Sequence, residues 1–195
     1  MRAFFNHSLR PALLTLCVIL AASGAQALEM RSDGIHTESW IKSMTFLDLN
    51  EDVAEAQASG KGLVIIFEQP GCGSCKRLHE VNFQEKPLVD YITQHFDVLQ
   101  INMYGDNRVT DFDGEVLSEG KFTEKLLINF SPTTVFFAPG GKEVFRIPGY
   151  LAPKFYQSGF EYVVDQGPQK GILFPRWLKA KRDRLAAEKA AGTDG

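Results

Sequence analysis

The sequence predicts an α/β fold in which helices cover both faces of a central sheet, with a polar insertion and a C-terminal helical extension. Three observations carry this. LVIIF, residues 63–67, is an unbroken apolar run, as a strand shows when both of its faces are buried. Helical and strand-like stretches alternate along the chain in the order α, β, α, β, α, β, β, α. Two late strand-like runs, 133–137 and 143–147, are joined by Pro139-Gly140-Gly141, a turn sequence.

The elements follow in order. Residues 1–27 read as a cleavable secretory leader. Arg2 and Arg10 stand without acids, PALLTLCVILAAS is apolar but short for a span, and Ala25-Gln26-Ala27 offers small residues for cleavage. Cys17 sits inside that run after Leu16, which argues against lipidation. Residues 28–47 form a mixed, loose lead-in with Trp40, Met44 and Phe46. The domain proper is expected over 48–166. LNEDVAEAQASGKG has acids at its start and Gly60 at its end, as a helix does. After LVIIF comes GCGSCKRL, a turn entering a helix near Cys72. Pro87 opens a second helix, LVDYITQHF, after a break at 82–86. DVLQINM, 97–103, is a strand. The polar stretch 104–122 is an insertion with a small hairpin about Asp113-Gly114, and TEKLLINF, 123–130, resumes a helix. PKFYQSGFEYVVDQ, 153–166, is an amphipathic closing helix. Residues 167–195 are an extension whose apolar Phe174, Trp177, Leu178 and Leu185 have helical spacing, with a solvated basic face; AAEKAAGTDG at the end reads as disordered.

A chain of 195 residues, 44% hydrophobic, suits a single core-bearing domain. Loss of residues 1–27 with their two arginines takes the formal charge from −3 to −5, which gives no electrostatic case for nucleic acid. The exported chain then keeps only Cys72 and Cys75. One close pair is no disulfide scaffold, so its role is chemical.

Four readings compete for that pair. Zinc would need four ligands; Cys72, Cys75 and His79 supply three, and His36 and His95 are isolated in sequence. Haem attachment would need His where Lys76 stands. Inert buried thiols do not suit a turn of Gly71, Gly73 and Ser74. A redox couple explains the details better. At a helix start, free backbone N–H groups and the dipole favour a Cys72 thiolate, making Cys72 the nucleophile and Cys75, one turn on, the resolving thiol. Lys76 and Arg77 either add positive charge there or are solvated helix residues. Far off in sequence, Ser131-Pro132-Thr133 precedes an apolar strand, a place where a cis proline is tolerated.

Together, the export signal, the strand-CxxC-helix passage and the SPT loop resemble the thioredoxin superfamily over residues 48–166. The resemblance implies a thioredoxin-like fold with a mixed sheet, a Cys72–Cys75 disulfide, and no cofactor or metal. It also implies a cis Pro132 facing the cysteines, with Gly71, Gly73, Ser74, Ser131 and Thr133 around the substrate chain. FEQPGCGSC, DFDGEVLSE and SPTTVFF with EVFRIPGYLAP look most like the SoxW-type periplasmic thioredoxins of sulfur oxidation. That likeness implies a periplasmic disulfide reductase, monomeric, fed by a membrane thiol transporter of the DsbD or CcdA kind and acting on oxidised periplasmic proteins. A thiol oxidase or isomerase, and a binding module with a structural disulfide, are the alternatives.

Two departures from that family matter. Gly71 stands where Trp often precedes the first cysteine, and Ile66 where an Asp is often buried. Glu68 is then the nearest upstream acid. Two readings stay open for it: a proton acceptor reaching Cys75 through a water, or a carboxylate in solvent. Glu80 is expected to face water.

Overall fold

The structure, a computed structural model, describes residues 28–43 and 45–191. The leader expected over 1–27, Met44 of the lead-in and residues 192–195 lie outside the described residues.

The chain opens with a short antiparallel pair, β1 (Glu29–Met30) and β2 (His36–Thr37). Helix α1 (Leu49–Ala58) starts at Asp48, whose carboxylate accepts from the N–H groups of Asn50 and Glu51, as an N-cap should. Strand β3 (Gly62–Glu68) leads to α2 (Gly73–Arg77), which runs on into a wider turn over Leu78–Asn82 where Phe83 N–H donates to Leu78 O. Then come α3 (Lys86–His95), β4 (Phe96–Asn102), the hairpin β5 (Arg108–Thr110) and β6 (Val116–Ser118), and α4 (Glu119–Lys125). Strands β7 (Thr133–Phe137) and β8 (Glu143–Pro148) precede α5 (Pro153–Val164) and α6 (Phe174–Ala191).

The main sheet has the order β4-β3-β7-β8. β3 is parallel to β4 and antiparallel to β7, and β7 is antiparallel to β8. The period of two along β3 splits the core. Leu63, Ile65 and Phe67 pack with α1 and α4 on one face, while Val64 and Ile66 pack with Leu78, α3 and α5 on the other. Phe160 of α5 lies edge-on to both Phe96 and Phe136, at centroid distances of 5.4 and 4.8 Å, a geometry that aromatic pairs favour. Among the described residues, no helix is long and apolar enough to cross a membrane.

Three expectations are corrected. The lead-in is not loose. Ile35 and Ile41 are buried, Lys42 N–H donates to Val98 O at 2.9 Å, and the Arg31 guanidinium donates to Gln100 O at 3.1 Å. Such a segment reads as irregular because its strands hold two residues each and its partners are distant in sequence. The helix expected over 123–130 lies earlier, because Ser118 caps it by accepting from Lys121 N–H. It stops in a Schellman motif: Ile128 N–H reaches Thr123 O, Leu127 N–H reaches Glu124 O, and Leu127 is left-handed at φ 55°. Buried Ile128 draws the chain inward there, while Leu127 is exposed. Finally, α6 continues through residues 186–191, which read as disordered in sequence. Its anchor is at the other end, where Trp177 is buried against Tyr162 and donates Nε1–H to Asp165 at 3.0 Å.

A leucine in the left-handed region carries a steric penalty of roughly 1–2 kcal/mol that glycine escapes. Leu127→Gly should therefore raise stability by about 1 kcal/mol in urea unfolding. A loss instead would mean that the exposed leucine holds packing that its burial does not reveal.

Candidate functional site

β3 ends at Glu68, and the loop Gln69–Gly71 carries the chain to Cys72 at the start of α2. Gly71 takes φ 71°, which lets this short connection turn back over the sheet end. Cys72 and Cys75 are joined by a disulfide, with S–S 2.16 Å and Cα–Cα 5.2 Å. The two sulfurs are not equivalent. Cys72 is half-buried and Cys75 is buried. Cys72 Sγ accepts from Cys75 N–H at 3.0 Å and from the Ser131 hydroxyl at 3.3 Å, and it lies 3.7 Å from Ser131 O. Those donors favour a thiolate on Cys72 once the bond is reduced.

The second wall comes from the loop before β7. Pro132 is buried, and the Ser131–Pro132 peptide is cis. Thus the structure brings Cys72, Cys75, Ser131 and Pro132 together across 59 residues of sequence. Gly73 and Ser74 lie exposed beside them. Thr133 is different: it is buried, and its hydroxyl donates to Phe130 O at 2.8 Å. Of the two cations after the motif, Lys76 pairs with Glu80, and Arg77 lies over the Tyr150 ring at 4.8 Å. Glu80 is exposed, as expected.

Glu68 is not in solvent. It is fully buried on the sheet face that carries Ile66, so the second reading of this residue is corrected. Its Oε2 accepts from Gln100 Nε2 and lies 3.2 Å from His79 Nε2; its Oε1 has no hydrogen-bond partner among the described residues. His79 is also fully buried, and its Nδ1 lies 2.9 Å from Glu38 of the lead-in. Burial alone would lower the His79 pKa, but the hydrogen bonds and charges of Glu38 and Glu68 outweigh it and push it up to about 9. The imidazole is therefore a cation at neutral pH, held between two carboxylates.

Sequence reasoning tested His79 only as a metal ligand and missed this pairing. The available signal was its place four residues after Cys75, on the same helical face. Among the described residues, no group of three or more His, Cys, Asp or Glu side chains is arranged to hold a metal ion.

Comparison with known proteins gives this geometry its family. The Thioredoxin-like domain matches residues 49–163, more than half of the chain. The chain belongs to the thioredoxin-like family. Solved structures agree on the fold of this thioredoxin-like protein. A thioredoxin-fold protein from Helicobacter pylori is 22% identical with a TM-score of 0.53, covering 68% of this chain and 86% of its own. A thioredoxin from Thermus thermophilus is 20% identical with a TM-score of 0.51, covering 64% and 89%. A candidate disulphide-isomerase from Bacteroides thetaiotaomicron is 25% identical with a TM-score of 0.50, covering 69% and 96%. No curated protein matched by sequence. A thioredoxin fold with a CxxC disulfide at the head of α2 is a site suited to thiol–disulfide exchange.

The His79 shift has a consequence for stability. Its folded pKa of about 9 exceeds the ordinary 6.5, so its contribution is whole below about pH 6.5 and is lost as pH rises through 9. The urea midpoint of the oxidised protein should fall between pH 7 and 9.5 more steeply than that of His79→Gln. Parallel curves for the two proteins would show that His79 is not charged in the fold.

Proposed function

We propose that this thioredoxin-like protein is an exported protein-disulfide reductase that works through Cys72 and Cys75. The observation that carries the reading is the asymmetric disulfide: Cys72 half-buried beside the Ser131 hydroxyl, Cys75 buried a turn deeper. In the reduced protein the Cys72 thiolate attacks a substrate disulfide, forming a Cys72–substrate bond and releasing one substrate sulfur as thiolate. Cys75 then gives up its proton and attacks Cys72 Sγ. The Cys72–Cys75 bond forms, the mixed disulfide breaks, and the second substrate sulfur leaves reduced. Two electrons pass from the cysteine pair to the substrate, and a dithiol donor must restore them.

Charge and compartment support the reducing direction. Gly73 and Ser74 place no cationic ring between the cysteines, so the reduced form lacks the extra stabilisation typical of strong oxidants. The leader-like residues 1–27 support export, and an oxidising compartment then demands a donor such as a membrane thiol transporter of the DsbD or CcdA kind. The likeness to SoxW-type sequences supports oxidised periplasmic proteins as substrates. The Bacteroides neighbour supports a second reading, disulfide isomerisation by the same two thiols.

Iodoacetamide titration of the reduced protein should label Cys72 first, with a pKa below the roughly 8.5 of a free thiol. Cys72→Ser should abolish dithiothreitol-driven insulin reduction, and Cys75→Ser should hold substrate covalently. Labelling of Cys75 first, or turnover by Cys72→Ser, would overturn the assignment. Direction is read from acid-quenched, alkylated cells: mostly reduced protein that becomes oxidised on loss of the transporter supports the reductase. Protein oxidised in both strains would exclude it.

A further inference from the structure

We propose that Arg77, laid across the Tyr150 ring beside the disulfide, is a specificity residue that selects protein disulfides carrying an acidic residue within a few positions of the attacked cysteine. The inference rests on the exchange reading above and names the substrate class that this reading leaves open.

Placement comes first. Tyr150 lies in the connection from β8 to α5, and that connection is pinned on both sides of it. Gly149 N–H donates to Pro132 O at 2.7 Å, which ties it to the loop that holds Ser131 against Cys72 Sγ. Leu151 O accepts from the Asn82 side-chain amide at 3.0 Å, and Asn82 is fully buried at the end of the helical path that α2 begins. The ring between these anchors is half-buried, packed against the core face that holds Ile66 and Leu78. Arg77 stands on α2, five residues after Cys72, with its guanidinium 4.8 Å from the centre of that ring. At about 1.5 Å of rise per residue, it is offset from Cys72 by about 7–8 Å along the helix. An extended substrate chain covers that distance in two or three residues.

Charge comes next. Two cations follow the motif, and only one is paired. Lys76 meets Glu80. Arg77 is exposed, and among the described residues no carboxylate lies within ion-pair distance of it. Gly71, Gly73, Ser74 and Ser131 bring no charge, so Arg77 sets the sign of this side of the site. The chain as a whole carries a formal charge of −3, which makes an unpaired cation here a local feature rather than part of a basic surface.

The chemistry of the pair favours a carboxylate. A guanidinium over an aromatic ring is held through its flat face, while its N–H donors stay available in its own plane for a carboxylate to take two of them. The ring also restrains a long side chain that would otherwise lose its freedom on binding. Arg77 thus acts on the docking of the substrate, and the bonds made and broken are those of the exchange already described.

The test mixes the reduced full chain with short blocked peptides whose single cysteine is joined to 2-thiopyridine and flanked on both sides by Glu, by Gln or by Lys. The Cys72 thiolate bonds to the peptide sulfur, the peptide–pyridyl disulfide breaks, and thiopyridone leaves and is measured. Each rate is divided by that of dithiothreitol with the same peptide, which removes the peptide's own reactivity. The wild type should prefer the Glu peptide over the Gln peptide about fivefold at low salt, and the preference should shrink as salt is added. Arg77→Gln should lose the preference, and Arg77→Glu should turn it toward the Lys peptide. Arg77→Lys, which keeps the charge but not the fork, should retain roughly a twofold preference. Each variant is read as the ratio of its own rates, so a change in Cys72 reactivity cancels. Equal wild-type rates for the Glu and Gln peptides, or the full preference kept by Arg77→Gln, would overturn the proposal and leave the exchange reading standing. Release no faster from the reduced wild type than from Cys72→Ser would sink the exchange reading, and this proposal with it.

Discussion

Strand β3 is hydrogen-bonded along both edges and buried on both faces, and it delivers the chain to Cys72 at its end. Everything at the site is measured from this rail. Its parallel neighbour β4 brings Gln100 to the Glu68 carboxylate, and its antiparallel neighbour β7 begins at the loop that sets Ser131 against the Cys72 sulfur. A register slip of one residue would turn Glu68 to the opposite face and Phe67 into its place, so the pairing of β3 with β4 and β7 decides on which face the carboxylate lies.

The same rail explains what was legible in the sequence. LVIIF, the CxxC turn and SPTTVFF are local patterns whose chemistry survives without knowledge of partners, so the strand, the helix start and the proline loop could be placed by reading alone. The lead-in could not be read this way. Ile35 and Ile41 join the core, but the bonds that order the segment reach Val98 and Gln100, more than fifty residues on. The end of α4 was misplaced for a related reason: LLIN has the composition of a helix, and the left-handed Leu127 is imposed by where Ile128 must go. Glu68 and His79 were each visible as residues, but only the fold shows that they meet.

Buried ionic clusters are poor sources of stability, since desolvation offsets most of their attraction. The Glu38–His79–Glu68 cluster is set among Phe83, whose ring lies edge-on to His79 at 5.0 Å, and the aromatic packing around Tyr156. Hydrophobic replacements of similar size would pack there at least as well in energetic terms.

The lead-in ties together parts of the chain that lie far apart in sequence. Glu38 meets His79 across 41 residues and Arg31 meets Gln100 across 69, so each contact closes a large loop of the chain. Without the lead-in, His79 would lack one of its two carboxylates. Such a chain would keep the CxxC turn and the proline loop, which the lead-in does not build, and lose only the charge that faces His79 from the N-terminal side. The N-terminal segment is thus a counter-ion delivered from outside the CxxC-bearing helix, and its sequence and that of the helix are tied together by one buried imidazole.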